Sequence, residues 1–371
     1  MPLYLTDDQA MLRETARGLM AEEGAIAKQL RKYRDMGCKD GFGHALWRQF
    51  GELGFTGVLV DEADGGMGLG HVEAGIVLEE IGRNLTPSPF LVTAVAVVEA
   101  LRGTAQRERW LPGILAGETV AALAVDEGRK HRPEGIAMQA ERSGNGFKLT
   151  GQKRFVVQGA SADVFIVAAR AEEGLTLFTV EKEAAGLDVE GVRLADSSIG
   201  ARVDFQGVEV DADAVLGEVG GGEAVLGRVL NAARAGAASE MVGVGSGAMA
   251  MTVDYLKQRK QFGKLIGEFQ VLQHRAAHLY SELEIARAAT LKAQQLLDEG
   301  SEDAEAMVSV AKAKAGRVST LAVQEGVQMH GGIGMTDEYD IGLYMKRDRV
   351  LNELFGDPNY HADKLARLKG Y

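Results

Sequence analysis

The sequence is poor in the features that mark disulfide frameworks, secretion signals and membrane spans. A single cysteine, Cys38, among 371 residues excludes an intramolecular disulfide and a cysteine-rich metal site, and it is typical of a reducing compartment. No apolar run approaches the roughly 20 residues that a transmembrane helix needs. The N-terminal stretch MPLYLTDDQAML is acidic and lacks the basic and apolar regions of a signal peptide. We therefore expect a cytoplasmic protein.

Positive charge and aromatic residues are also scarce. Asp and Glu together number 53 against 41 for Lys and Arg, and the resulting net charge of -12 argues against nucleic acid or an anionic membrane as the partner. Only 6% of the residues are aromatic, whereas 48 are glycine, which favours closely packed helices over an aromatic-rich β-sandwich. The length exceeds that of one ordinary core and predicts more than one domain.

Hydrophobic periodicity divides the chain into three parts. The first part shows helical spacing, with Thr6 as a candidate N-cap, and the second shows short alternating runs with turn signals such as SGNG. The third returns to long amphipathic helices, which predict a four-helix bundle. We therefore predict an α+β fold with an N-terminal helical domain (residues 1–118), a middle domain of antiparallel strands forming a β-barrel (119–217) and a C-terminal four-helix bundle (218–371).

One candidate binding segment is RKQFGKLIGEFQ, Arg259–Gln270, at a break between two long helices. An arginine at a helix end can bind a phosphate or pyrophosphate through two parallel hydrogen bonds. For this stretch alone, a solvated basic cluster is the alternative.

A second candidate segment is the glycine-rich turn QEGVQMHGGIGMTDEY, residues 324–339. Paired glycines let backbone N–H groups approach a ligand closely, and Gln328 lies one helical turn before them. For this stretch alone, a glycine C-cap before an ordinary turn is the alternative.

Together and in this order, these segments resemble the acyl-CoA dehydrogenase family. RKQFGKLIGEFQVLQH is similar to its Arg-x-x-Phe-Gly stretch, and QMHGGIGMTDEY is similar to its Gln-x-x-Gly-Gly-x-Gly turn. DEADGGMGLG is similar to its Pro-Glu-x-x-Gly-Gly-x-Gly loop without the proline. The resemblance covers essentially the whole chain and is strongest to a compact bacterial branch that includes pimeloyl-CoA dehydrogenase small subunits and steroid side-chain dehydrogenases. It implies the acyl-CoA dehydrogenase fold and FAD as the cofactor.

The resemblance also implies the residues that contact FAD. In the bundle they reach the pyrophosphate side of a flavin held mainly by a neighbouring subunit, and they are Arg259, Phe262, Gln270, Gln328, Gly331 and Gly332. In the β domain, LAVDEG and GQKRFVVQGASAD resemble the segments beside the isoalloxazine ring. The contacts implied there are Leu123, Val125, Phe155, Val156 and Val157. The family usually has Trp and a hydroxyl residue in place of Phe155 and Val157.

The catalytic base is the point at which the sequence departs most from the family. Oxidation of an acyl thioester removes a proton from Cα, and a carboxylate in a water-poor pocket suits this step because desolvation raises its pKa. The family's usual Glu falls here on Gly356, or on Phe355 when counted from the glycine-rich turn. In members that place the base before an arginine of the first bundle helix, the matching residue is Ala233, before Arg234.

Two nearby carboxylates remain as candidate bases. Asp357, one residue beyond the usual position, is the first candidate, although Pro358 after it equally predicts an N-cap of the last helix. Glu240 is the second, and a buried ion pair with a neighbouring helix is its alternative. Glu353 is most simply a solvated helix residue. We expect only surface or flavin-adjacent roles for His330 and His361, and no metal site.

The resemblance implies FAD-dependent α,β-dehydrogenation of an acyl-CoA thioester to the 2,3-enoyl-CoA, with electrons passed to an electron-transfer flavoprotein. It also implies a dimer or tetramer with itself or with a sister chain. Two alternatives stay open: a non-catalytic subunit that completes a partner's flavin site in a heterotetramer, and a flavin oxidase of the same fold. The segment EGRKHRPEG, residues 127–135, either binds the CoA phosphates or replaces a shorter loop of the family.

Overall fold

The computed structural model describes residues 3–371. Its α-helices are α1 (Asp7–Glu22), α2 (Lys32–Asp35), α3 (His44–Glu52), α4 (His71–Asn84), α5 (Val98–Leu101), α6 (Arg107–Leu115), α7 (Gly222–Gln258), α8 (Gln270–Asp298), α9 (Ala304–His330), α10 (Ile341–Glu353) and α11 (Pro358–Leu368). Its strands are β1 (Ala121–Ala124), β2 (Gln139–Ser143), β3 (Gly146–Val157), β4 (Val164–Ala171), β5 (Gly174–Glu181), β6 (Leu187–Arg193), β7 (Ile199–Val210), β8 (Lys260–Gln261) and β9 (Lys264–Leu265).

The chain forms two compact units. One unit, which we call the helical unit, contains the residues up to Arg31, His71–Thr86 and Arg234–Tyr371. The other, the sheet unit, contains Lys32–Gly70 and Pro87–Ala233. The predicted order of helices, strands and long helices is confirmed, whereas the domain boundaries at residues 118 and 217 stay a prediction.

Small residues allow the long helices of the helical unit to pack closely. A Cβ atom on Gly243 of α7 would clash with the backbone of Glu79 in α4, and one on Gly82 of α4 would clash with the backbone of Glu240. Glycine is therefore required where these two helices cross. The predicted N-cap of α1 is present: the Thr6 hydroxyl accepts from the backbone N–H of Gln9, whose side chain accepts in return from Thr6 N–H.

The sheet unit is built on one curled sheet in the order β1-β4-β2-β3-β7-β6, with β5 beside β4. Four aromatic side chains fill its core: Phe147, Phe165, Phe178 and Phe205. Most neighbouring strands pair antiparallel, as predicted, but β4 pairs in parallel with β1 and with β2. Parallel neighbours need a long crossover, and the stretch between β1 and β4 contains the β2–β3 hairpin and is long enough to supply one.

Candidate active site and flavin-binding segments

A two-residue β-hairpin carries the Arg259 segment. Strands β8 and β9 pair Gln261 with Lys264, so Phe262 and Gly263 form the turn, with φ angles of 53° and 81°. A turn with two positive φ angles favours small residues, and a phenylalanine held there stores backbone strain. The Phe262 side chain is nevertheless 90% exposed. Strain and exposure at one aromatic residue are typical of a ligand contact more than of a packing residue.

The glycine-rich turn lies beside the end of α7. The ring of Tyr255 in α7 stacks on His330, the last residue of α9, at 4.4 Å between ring centroids. Arg259 lies one helical turn after Tyr255, and Gly331 follows His330 directly, so this stack brings the two predicted flavin-binding segments of the helical unit together. His330 is buried, which lowers the pKa of its imidazole. A surface role for His330 is therefore wrong, and a flavin-adjacent role stays a prediction.

The groups of these two segments fit a dinucleotide. The Gly331 φ angle is 65°, and no described atom lies within 4 Å of the point where a Cβ on Gly331 or Gly332 would stand, which leaves their backbone open to a ligand. The side chains of Arg259, Gln270 and Gln328 are exposed. A guanidinium, two amides and an exposed aromatic ring are the donors and the stacking surface that a pyrophosphate with an attached adenosine requires.

In the sheet unit, a β-bulge displays Phe155. The register between β3 and β7 shifts between Lys153 and Val156, and Phe155 within this bulge has a φ of 52° and a side chain that is 56% exposed. Bulges re-aim side chains and are frequent beside active sites. Val156 is buried and Val157 is half-buried. Phe155 is thus the ring that this segment offers to a ligand.

A buried lysine ties this bulge to the end of β1. The Lys153 ammonium donates to the backbone oxygen of Val125 at 3.0 Å and to Glu127 Oε1 at 2.8 Å. The side chains of Leu123 and Val125 are buried, which leaves their backbone for any contact with a flavin. The structure therefore brings the Leu123–Val125 segment and the Phe155–Val157 segment together.

The basic loop after β1 is held by its own acidic residues. His131 is buried, and its Nδ1 lies 3.0 Å from Asp126, which also accepts from the backbone N–H of Arg132 at 3.1 Å. Glu127 accepts from the backbone N–H groups of Ala137 and Met138. These bonds give the loop a fixed conformation, and a role in binding CoA phosphates stays a prediction.

Asp357 caps the last helix. Its Oδ1 accepts from the backbone N–H groups of Asn359 at 3.0 Å and Tyr360 at 2.8 Å, and Pro358 takes the first helical position. The half-buried carboxylate also lines a cavity of about 420 Å³ between α9, α10 and α11. The predicted cap is therefore present, and the role of Asp357 as the base stays a prediction.

Glu240 takes part in a buried ion pair. Its side chain is almost fully buried, and Oε1 accepts from Arg347 of α10 through Nε at 2.8 Å and Nη2 at 2.6 Å. This pair is the alternative that the sequence had left open for Glu240. Glu353 pairs with Arg349 at 3.2 Å on the same helix.

The family's usual base position, Gly356, cannot accept a side chain in this conformation. Its φ is 106°, and a Cβ there would clash with the Tyr360 ring and lie 3.0 Å from His361 Nε2. Phe355 before it also has a positive φ, 59°, and is buried. We call the segment Leu354–Asp357 the α10–α11 turn. Its backbone is shaped to exclude a glutamate at that position.

Three buried side chains from three helices hold this turn, and no local sequence motif predicts this function for any of them. Arg234 of α7 donates from Nε to the Phe355 oxygen at 3.2 Å, and His361 of α11 places Nε2 3.1 Å from the same oxygen. Because a carbonyl can only accept, this His361 nitrogen carries a proton. Lys312 of α9 donates to the backbone oxygens of Leu351 at 2.9 Å and Gly356 at 3.1 Å. His361 is fully buried, so a surface role is wrong and a flavin-adjacent role stays a prediction.

Comparison with known proteins points to one family. The models of the acyl-CoA dehydrogenase N-terminal domain and the acyl-CoA dehydrogenase C-terminal domain match residues 6–118 and 220–369. Acyl-CoA dehydrogenase FadE12 of Mycobacterium tuberculosis is 33% identical over 335 residues, which cover 86% of each chain. The chain belongs to the acyl-CoA dehydrogenase family.

Other members of the acyl-CoA dehydrogenase family are similar over most of the chain. Mitochondrial isovaleryl-CoA dehydrogenase of Solanum tuberosum is 31% identical over 326 residues, or 83% of this chain and 78% of that protein. The solved steroid ACAD variant Tcur3481-Tcur3483 has a TM-score of 0.90 and 29% identity, covering 98% of both chains. Family membership confirms the predicted enzyme class, a FAD-dependent oxidoreductase, and FAD as the cofactor. Within residues 3–371, none of the helices is long and apolar enough to span a membrane.

Proposed function

We propose that the chain oxidises an acyl-CoA thioester to its 2,3-enoyl-CoA, with Asp357 as the base and an electron-transfer flavoprotein as the electron acceptor. The observation that carries the proposal is the placement of Asp357. It is the single carboxylate of the α10–α11 turn, it is oriented by two backbone hydrogen bonds to Oδ1, and it lines a cavity.

Different residues of the chain bind the cofactor and transfer the proton. Arg259, Gln270 and Gln328 would hold, through their side chains, the phosphate and adenosine part of a FAD held mainly by a neighbouring subunit, and Gly331 and Gly332 would do so through their backbone. In the sheet unit, the ring of Phe155 and the backbone of Leu123 and Val125 would contact an isoalloxazine. FAD would supply the acceptor for the hydride that leaves the substrate Cβ. Asp357 accepts the proton from Cα, and its half-buried position limits the water that would otherwise compete for that proton.

Substitution of Asp357 by Asn tests the assignment of the base. Asn is as good an N-cap as Asp, so the variant keeps the start of α11 while it loses the base. We expect that anaerobic bleaching of the flavin by acyl-CoA slows by at least about 100-fold in Asp357→Asn. The matched control is Asp363→Asn, which changes an exposed carboxylate on the same helix and leaves the rate unchanged.

The same assay tests Glu240, the second candidate base. Glu240→Gln removes the charge of a carboxylate that is already paired with Arg347, so we expect its bleaching rate to depend only on the fraction of folded protein. A normal rate in Asp357→Asn together with a lost rate in Glu240→Gln would transfer the role of base to Glu240.

A second candidate function is a subunit that completes the flavin site of a sister chain without acting as a base. The closed position at Gly356 favours it, and the structurally similar steroid ACAD carries a two-part name, Tcur3481-Tcur3483. The purified chain distinguishes the two functions. A yellow protein that is bleached by acyl-CoA supports the dehydrogenase, whereas a colourless protein that turns yellow only with a sister chain supports the subunit. Rapid reoxidation by O₂ during turnover would indicate the oxidase.

A further inference from the structure

We infer that Lys312 and Arg234 are positioning residues that fix the α10–α11 turn and, through it, the Asp357 carboxylate. The catalytic meaning of this inference rests on the proposed function, whereas the contacts that carry it do not. Neither residue belongs to the predicted flavin-binding or base positions. Both are almost completely buried, Lys312 on α9 and Arg234 on α7.

The turn needs an external support because its backbone conformation is unfavourable. Phe355 and Gly356 have consecutive positive φ angles, and only glycine adopts such angles without strain. Three side chains supply this support. Arg234 and His361 bind the Phe355 oxygen, and Lys312 binds the Gly356 oxygen. Arg234 also donates to the hydroxyl of Tyr360 at 3.1 Å, one turn into α11. The bonds therefore fix both sides of Asp357 along the chain.

The number of hydrogen-bond acceptors around Lys312 matches the number of N–H groups of an uncharged amine. Such an amine has two N–H groups, and the structure gives Lys312 two carbonyl acceptors, on Leu351 and Gly356. Burial, with a further contribution from the Arg234 charge, lowers the pKa of Lys312 to about 7, against the opposing influence of Asp348, Asp357 and Glu353. The amine thus binds two carbonyls without a full charge in the interior.

The position of Lys312 in its helix shows that an apolar residue would fit there. Val308, Ala311 and Ala315 of α9 belong to the same buried face and pack in the core of the helical unit. An apolar residue of similar size would avoid the cost of burying the amine, but it would leave two carbonyl oxygens without their donor. A lysine at this point is therefore explained by what it binds, the carbonyl oxygen adjacent to Asp357, more than by the stability of the core.

The experiment uses Lys312→Met in the flavin-loaded protein, with Lys314→Met as the matched control. Lys314 lies two residues further along α9 and pairs with Glu282 at the surface. We expect Lys312→Met to stay folded but to melt below the unchanged protein, because methionine fills the same core position yet leaves the carbonyls of Leu351 and Gly356 without their donor. We expect its rate of flavin bleaching to fall on the order of 10- to 100-fold while the Kd for acyl-CoA changes less than about twofold, because a displaced base slows the chemical step and not binding. Lys314→Met retains the rate.

A second readout separates this inference from the identity of the base. Hydrogen exchange of the backbone amides of residues 355–361 reports the support of the turn without any turnover. We expect faster exchange there in Lys312→Met and in Arg234→Met, but not in Lys314→Met. If exchange increases while Asp357→Asn keeps its full bleaching rate, the support is real and the assignment of the base is wrong. Unchanged exchange in Lys312→Met, or a rate loss matched by an equal loss of folded protein, would overturn the inference.

Discussion

Phe262 and Phe355 share an unfavourable backbone conformation but lie in opposite surroundings. Both have positive φ angles, 53° and 59°, yet the side chain of Phe262 is 90% exposed and that of Phe355 is 7% exposed. At Phe262 a short hairpin presents an open surface with Arg259 beside it. At Phe355 buried donors from α7, α9 and α11 bind the backbone. The first region is open to a ligand, as the proposed flavin contact requires, and the second holds its own chain in place.

The largest expected effect is the loss of stability when the buried Glu240 loses its partner, compared with a change at the exposed hairpin. Arg347→Met leaves Glu240 buried without its guanidinium partner, and we expect it to lower the free energy of unfolding by about 3–5 kcal/mol. Arg259→Met, at the exposed hairpin, changes that free energy by less than about 0.5 kcal/mol. Denaturation in urea measures both. The double variant Glu240→Met/Arg347→Met regains most of the loss, and a double variant as unstable as Arg347→Met would contradict the pairing.

A pair of glycines provides the next comparison. Gly356→Ala places a Cβ against Tyr360 at a φ of 106°, and we expect a loss of about 3 kcal/mol in unfolding free energy. Gly332→Ala meets no described atom within 4 Å, and its effect stays within about 0.5 kcal/mol. The same denaturation curves test the two variants. Equal stability of Gly356→Ala and the unchanged protein would show that the turn adapts to a side chain.

The third prediction concerns cofactor affinity at the open region. Arg259→Lys keeps the positive charge but loses the planar pair of donors, and we expect the Kd for FAD to rise about tenfold. Titration of FAD fluorescence with the apoprotein measures this change. Arg367→Lys, an exposed arginine of α11 that pairs with Asp363, serves as the control and leaves the Kd unchanged. An unchanged Kd in Arg259→Lys would remove Arg259 from the flavin site.

The smallest expected effect is the pH dependence that the buried Lys312 gives to the free energy of unfolding. The pKa of Lys312 is lowered to about 7 in the folded protein, whereas the unfolded chain keeps the ordinary value of 10.5. Between these values the unfolded state binds more protons, so the free energy of unfolding rises with pH, by about 1 kcal/mol from pH 7 to pH 8. Lys312→Met lacks this contribution, and the difference between the two curves isolates it. Parallel curves would show that Lys312 stays charged.

The contrast between the exposed hairpin and the α10–α11 turn also explains which features could be predicted from the sequence. The proposed flavin-binding segments are short local strings, so Arg259, Phe262 and the glycine-rich turn could be proposed from a few neighbouring residues. The cap at Asp357 was equally local, because Pro358 follows it directly. The bonds on the α10–α11 turn join residues that lie far apart in sequence, such as Arg234 and Phe355, and no local pattern shows them. One signal was available: Lys312 interrupts the apolar spacing of Val308, Ala311 and Ala315.

The features that the sequence did not predict correctly also depend on tertiary contacts. His330 and His361 are polar residues in motifs with many exposed neighbours, and only the packing of Tyr255 and the carbonyl of Phe355 accounts for their burial. The parallel pairing of β1 with β4 likewise depends on a contact between strands that are distant in sequence.

The most direct test of the account is whether Asp357 removes the Cα proton. A 3-thia-acyl-CoA, in which sulfur replaces the Cβ methylene, cannot be dehydrogenated in the normal way but still exposes an acidic Cα proton to the base. Exchange of that proton in D₂O, followed by NMR with the flavin-loaded protein, reports proton removal separately from hydride transfer. We predict exchange with the unchanged protein and with Asp363→Asn, and exchange at least about 100-fold slower with Asp357→Asn. Equal exchange rates in Asp357→Asn and the unchanged protein would contradict the account.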